Sequence, residues 1–84
     1  MANPVKTTLP AKVWTKVATN VTTGKVAVQD NAKVYYTYVT TASPPPTDNS
    51  TAVPIRGGEV TIAAGVASDV YCKSVDVTSV VFFS

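Results

Sequence analysis

Histidine is absent, cysteine occurs once, and only 14% of the 84 residues are charged. Each shortage removes a class of chemistry. Without histidine there is no base for Ser–His or Cys–His nucleophilic catalysis. Zinc hydrolases and deaminases built on histidine ligands are excluded with it. Cys72 has no second cysteine to pair with inside the chain, and alone it cannot complete a four-ligand zinc shell. A domain of this length buries only about 60–65% of its unfolded surface. Such domains are commonly reinforced by disulfides, metals or oligomerisation. With the first two removed, association with other chains is the remaining device.

Long apolar runs are missing too. No segment approaches the roughly 18 apolar residues of a membrane helix. Residues 1–10 have no apolar stretch of the kind that forms a secretory signal. The expectation is synthesis in a cytoplasm and no membrane partner. Charge is sparse against a usual ~25%, so much of the surface must be hydroxyl and methyl groups. The net charge is +2 and the pI about 8.8. Lys6, Lys12, Lys16, Lys25, Lys33, Arg56 and Lys73 are scattered along the chain, whereas nucleic-acid binders gather such residues on one face. No nucleic-acid partner is expected.

The five carboxylates offer no catalytic pair. Asp30 and Asp48 sit in turn contexts, where Asp bonds its own backbone. Glu59 and Asp69 head strands, and Asp76 opens the last segment. Gly57-Gly58 lacks the Lys-Ser/Thr and the helix of a phosphate loop. No catalytic residue, metal ligand or cofactor site is assigned, and the chain is read as a non-enzyme.

What is present is valine and threonine, whose branched Cβ favours strands. No helical periodicity occurs. Residues 1–10, with two prolines, read as an extended N-terminal arm. Residues 11–84 read as one β domain. Residues 11–18 alternate, Val13, Thr15 and Val17 on one face and Lys12, Trp14 and Lys16 on the other. Residues 20–24 read as a turn, and residues 25–29 as a short strand with Val26 and Val28 inward. Asp30-Asn31 signals a hairpin. Residues 33–40 read as a central strand covered on both faces, with Val34, Tyr36 and Tyr38 on one and Tyr35, Thr37 and Val39 on the other. Pro44, Pro45 and Pro46 mark a stiff loop over 41–52. Val53-Pro-Ile-Arg56 reads as an edge strand and Gly57-Gly58 as a tight turn. Val60 and Ile62 point inward on the next strand, and residues 64–68 form a small-residue turn. Then Val70 and Cys72 point inward, Tyr71 and Lys73 outward. About six to seven short strands at this turn spacing predict an all-β fold, a small antiparallel sandwich or barrel.

Candidate sites follow from apolar groups without an obvious place. In Val80-Val-Phe-Phe83, Val80 and Phe82 are expected to complete the core, which leaves Val81 and Phe83 in need of cover. Those two, with Trp14, Tyr35 and Leu9, are the candidate interface residues. Cys72 reads as a small buried hydrophobe. Trp14 between Lys12 and Lys16 reads as core or interface rather than a base-stacking platform. Tyr35, Tyr71 and Trp14 are also the residues a carbohydrate- or receptor-binding module would use.

Residues 34–75 resemble small virion proteins of tailed bacteriophages. The resemblance rests on the Tyr36-Thr-Tyr38 strand, the Pro/Asp loop after it, and Val53-Pro-Ile-Arg-Gly-Gly-Glu-Val-Thr-Ile. Val70-Tyr-Cys-Lys-Ser74 completes it. The pattern is similar to that of head-decoration (cement) and head-fibre proteins. The resemblance implies a homo-oligomer, a trimer before a dimer, on the exterior of the particle. Its partner there would be the major capsid protein or another virion protein. It also implies a capsid decoration role, with a fibre, tail or adhesion module as the alternative. It carries no catalytic residues.

Overall fold

The computed structural model describes residues 5–29, 33–47, 52–55 and 58–84. Its strands are β1 (Val5–Leu9), β2 (Thr15–Val28), β3 (Val34–Thr40), β4 (Val53–Pro54), β5 (Glu59–Ser74) and β6 (Ser79–Phe83). They form one six-stranded sheet in the order β1-β6-β2-β5-β3-β4. Every strand pair in it is antiparallel. No helix occurs among the described residues. The all-β expectation holds, but the strands are divided differently from the sequence reading.

β2 and β5 run 14 and 16 residues, where an ordinary strand has about 5–6. The turns expected at 20–24 and 64–68 both lie inside these strands. They face each other, with Val21 opposite Ser68 and Thr23 opposite Ala63. The register slips between Lys16 and Ala18, between Ala18 and Val21, and between Val21 and Thr23. Asn20 has a φ of 56° and Gly65 of 79°. Bulges and left-handed residues bend and twist a ribbon without reversing it. The turn-forming residues therefore make a shared corner.

The corner divides the sheet into two halves. The first half holds β1, β6, the C-terminal part of β2 and the N-terminal part of β5. The second holds the N-terminal part of β2, the C-terminal part of β5, β3 and β4. Leu9, Val26, Ile62 and Val81 from the first half join Val17, Val34, Val70 and Cys72 from the second in a single buried cluster. A fully buried Val or Leu side chain contributes about 1.5–3 kcal/mol, so this cluster is the main source of stability.

The strands expected to form a hairpin about Asp30-Asn31 do not pair with each other. Those two residues lie outside the described ones, but the strands on either side, β2 and β3, are not neighbours. Both flank β5, so the chain crosses from one half to the other between them. Residues 10–14 make a similar crossing, held by Lys12 N–H donating to Ser74 O at 2.8 Å. So do residues 75–78, where buried Ser74 and Ser79 hydroxyls both donate to Val77 O and lie 3.1 Å apart.

Residues 5–9 of the expected arm are strand β1, paired along its whole length with β6. Residues 1–4 lie outside the described ones. β4 is an edge strand as expected, and Gly58 has the positive φ of a turn, 77°. Arg56 and Gly57 lie outside the described residues.

β3 is second from the edge, not central. β4 covers it only at Tyr35 and Tyr36. Both of its faces are buried at Val34 and Thr37, while Tyr38 is 42% exposed.

Candidate interaction surfaces

Two of the five candidate interface residues do not reach the surface. Leu9 and Val81 are each 0% exposed and belong to the chain's own core. The inward face of β6 is the reverse of the expected one. Ser79, Val81 and Phe83 pair with Leu9, Thr7 and Val5 of β1, and antiparallel partners share a face. Leu9 is inward, so Val81 and Phe83 follow it, and Val80 and Phe82 are left half-buried.

Phe83 is packed against the core by a local device. Its ring lies over Gly24, whose missing side chain makes the room. A Cβ on Gly24 would come within 2.8 Å of the ring carbon Cε1. The glycine expected to make a turn is thus a seat for an aromatic ring.

Trp14 and Tyr35, both half-buried, lie on the outer face of the second half. The Lys73 ammonium sits 5.6 Å from the Trp14 ring centroid. Lys73 is the register partner of Tyr35, and Tyr35 of Pro54. The residues form one row across the sheet: Trp14, Lys73, Tyr35, Pro54. The cation over Trp14 comes from β5. Lys16, expected beside Trp14, is instead 5.9 Å from the Tyr71 ring centroid and 3.5 Å from Asp69. Tyr71 itself is only 5% exposed, so it cannot serve as a sugar platform. Tyr35 also lines a shallow cleft of about 330 Å³ with Lys33, Val34, Pro54 and Ile55.

Among the described residues Asp69 is the buried carboxylate, 3% exposed. Its Oδ1 accepts the Asn20 N–H at 3.0 Å, across the corner. That bond is the main reason its carboxyl is held below its ordinary 3.8. Burial opposes the shift, and Lys16 and the Ala42 amide reinforce it. An anion held this way fixes the left-handed Asn20 and so fixes the bend. Residues 20 and 69 are far apart in sequence, and no local pattern links them. Glu59 lies 3.9 Å from Lys25 with both side chains exposed. Asp76 is exposed, and Asp30 and Asp48 lie outside the described residues. Cys72 is fully buried, and burial pushes its thiol up to about 12. It is unsuited to nucleophilic work. Among the described residues no group of His, Cys, Asp and Glu is arranged to hold a metal.

The remaining feature is a seam. The outer strand of the first half, β1, and the N-terminal part of β2 face each other across an open cleft of about 410 Å³. Val5, Val17, Ala18, Val21 and Phe83 line it together with the more polar Thr7, Lys16 and Thr19. The crossing at residues 10–14 and a bridge between Ala11 and Ser74 close one end. Val5 is 57% exposed there.

Comparison of the chain with protein-family models, curated proteins and solved structures gives no match.

Proposed function

We propose that this chain is a structural subunit that works by packing against other protein chains. The outer edge of β1, which pairs with no strand among the described residues and lies at the lip of a largely apolar seam, is the observation that supports this most. An unpaired strand edge is a template for another strand. The sparse charge of the surface suits a partner that stays bound. The resemblance of residues 34–75 supplies the setting, the exterior of a tailed-phage particle, and within it a capsid decoration role.

The setting is tested by electron microscopy of phage particles with gold-labelled antibody against this chain. Regular label on the outside of the head is the expected result. Particles without label would remove the virion reading. Binding to purified capsid protein, measured by co-sedimentation, tests the packing claim separately.

A second reading draws on the row of Trp14, Lys73, Tyr35 and Pro54, an aromatic strip on an outer face. Such a strip suits a carbohydrate or receptor. Trp14 is the only tryptophan, so its fluorescence reports on the strip directly. A saturable change on titration with sugars supports this reading, and an unchanged spectrum removes it.

A further inference from the structure

The backbone of β1 has a readable direction. Lys25 and Ser84 exchange both of their backbone hydrogen bonds, at 2.9 and 3.0 Å, and Gln29 N–H donates to Val80 O at 2.9 Å. In an antiparallel strand, successive residues direct their N–H and C=O to opposite sides. Val80, Phe82 and Ser84 therefore face β2, while Ser79, Val81 and Phe83 face β1. Their partners Leu9, Thr7 and Val5 face back. The N–H and C=O of Lys6 and Thr8 are left pointing out of the sheet.

The other described edges are guarded. β4 has two residues and one is Pro54, which has no amide donor. Beyond β4, only Tyr38 of β3 faces outward before Thr40, whose carbonyl accepts Ser43 N–H. The N-terminal part of β2 is broken by bulges, a common protection for an edge. β1 is regular, and Lys6 is its only charge.

We propose that two copies of this chain pair through β1, antiparallel, about a two-fold axis at Thr7. This deepens the packing reading above and rests on it, naming the partner as a second copy. The register is selected by chemistry. An axis at Lys6 would set two lysines directly opposite each other, which is destabilising. An axis at Thr8 would set Lys6 opposite Pro10, which has no N–H to give. An axis at Thr7 sets Lys6 of each copy opposite Thr8 of the other, and every outward N–H and C=O of these residues finds a partner. Val5, exposed in the single chain, is then set beside the β1 backbone of the other copy, at the position opposite Leu9.

Thr7 and its symmetry mate form a non-hydrogen-bonded pair in this register, with Cα atoms about 4.5 Å apart. That separation lies within the disulfide range of about 4.4–6.8 Å. The test is Thr7→Cys under mild oxidation, with Thr8→Cys as the out-of-register control. Cys72 is fully buried and does not compete. The expected result is a covalent dimer from Thr7→Cys, at least about tenfold faster than from Thr8→Cys. Equal rates in two folded variants would overturn the register.

A second variant, Thr8→Pro, removes an outward donor that β6 does not use. Sedimentation should show its self-association weakened at least about tenfold, with an unchanged circular dichroism spectrum. Undiminished association in Thr8→Pro would overturn pairing through β1 while leaving the packing reading intact. A wild-type chain that stays monomeric up to about 0.1 mM, yet binds capsid protein, would overturn the second copy as partner alone. A monomer that binds nothing would overturn both.

Discussion

The two halves of β5 behave as if they belonged to different sheets. From Glu59 to Ala67 only Ile62 is buried, and the outer face of the first half is open to solvent. From Ser68 to Ser74 every residue but Lys73 is buried, on both faces. The first half is held from one side, by apolar residues on the inner face. The second is also covered outside, by Lys16 against Tyr71 and Asp69 and by Lys73 against Trp14. Lysine stems lie along apolar surface with their charge in water. A small sheet can thus bury two faces without a second layer of backbone.

The largest test of this contrast is on the one-sided half. Leu9→Ala leaves a cavity that nothing outside can fill, and should cost about 3 kcal/mol in chemical denaturation of the single chain. A free arm would have lost assembly instead and kept its stability. Gly24→Ala should cost about 1–3 kcal/mol, because the added Cβ forces the Phe83 ring off its position. Phe83→Leu should recover part of that loss in the double variant, and strict additivity would mean that the two residues do not touch.

How far these features were legible depended on the half. Alternation placed Val26, Ile62, Val70 and Cys72 inward correctly, because their strands mix apolar with polar residues. In β6 both faces are apolar, so period two carried no information. The register with β1 decided it, and that register joins the two ends of the chain. Residues 20–24 and 64–68 gave true signals of irregular backbone. What they could not convey was that the two irregularities would lie side by side and bend one ribbon. An Asp-Asn pair in a sequence signals a change of direction equally well for a hairpin and for a crossing between halves. Of the candidate interface residues, Trp14 and Tyr35 lie on an outer face, whereas Leu9 and Val81 are core. The free edge of β1 was hidden because residues 1–10 read as an arm.

A smaller effect is expected at the corner, and it depends on pH. The folded carboxyl of Asp69 lies below its ordinary 3.8. A group with a depressed folded value stabilises the fold above its unfolded value, and loses that contribution as pH falls through the folded one. Asp69→Asn should therefore lower the melting temperature relative to wild type at about pH 6, with the gap closing below 3.8. A gap independent of pH would mean that Asp69 contributes by packing alone. The smallest effect belongs to the exposed pair on the first half. Lys25→Ala should change stability by no more than about 0.5 kcal/mol, since exposed ion pairs are screened.

The contrast between the halves rests on what covers the outer face of β5 near Tyr71. Tyr71 is 5% exposed and Tyr38 42%, and both rings react with the same reagents. Iodination or hydroxyl-radical footprinting of the folded protein, read by mass spectrometry, compares them within one sample. Rapid modification of Tyr38 and strong protection of Tyr71 until the chain unfolds are the expected result. Modification of Tyr71 at the rate of Tyr38 in the native protein would contradict it.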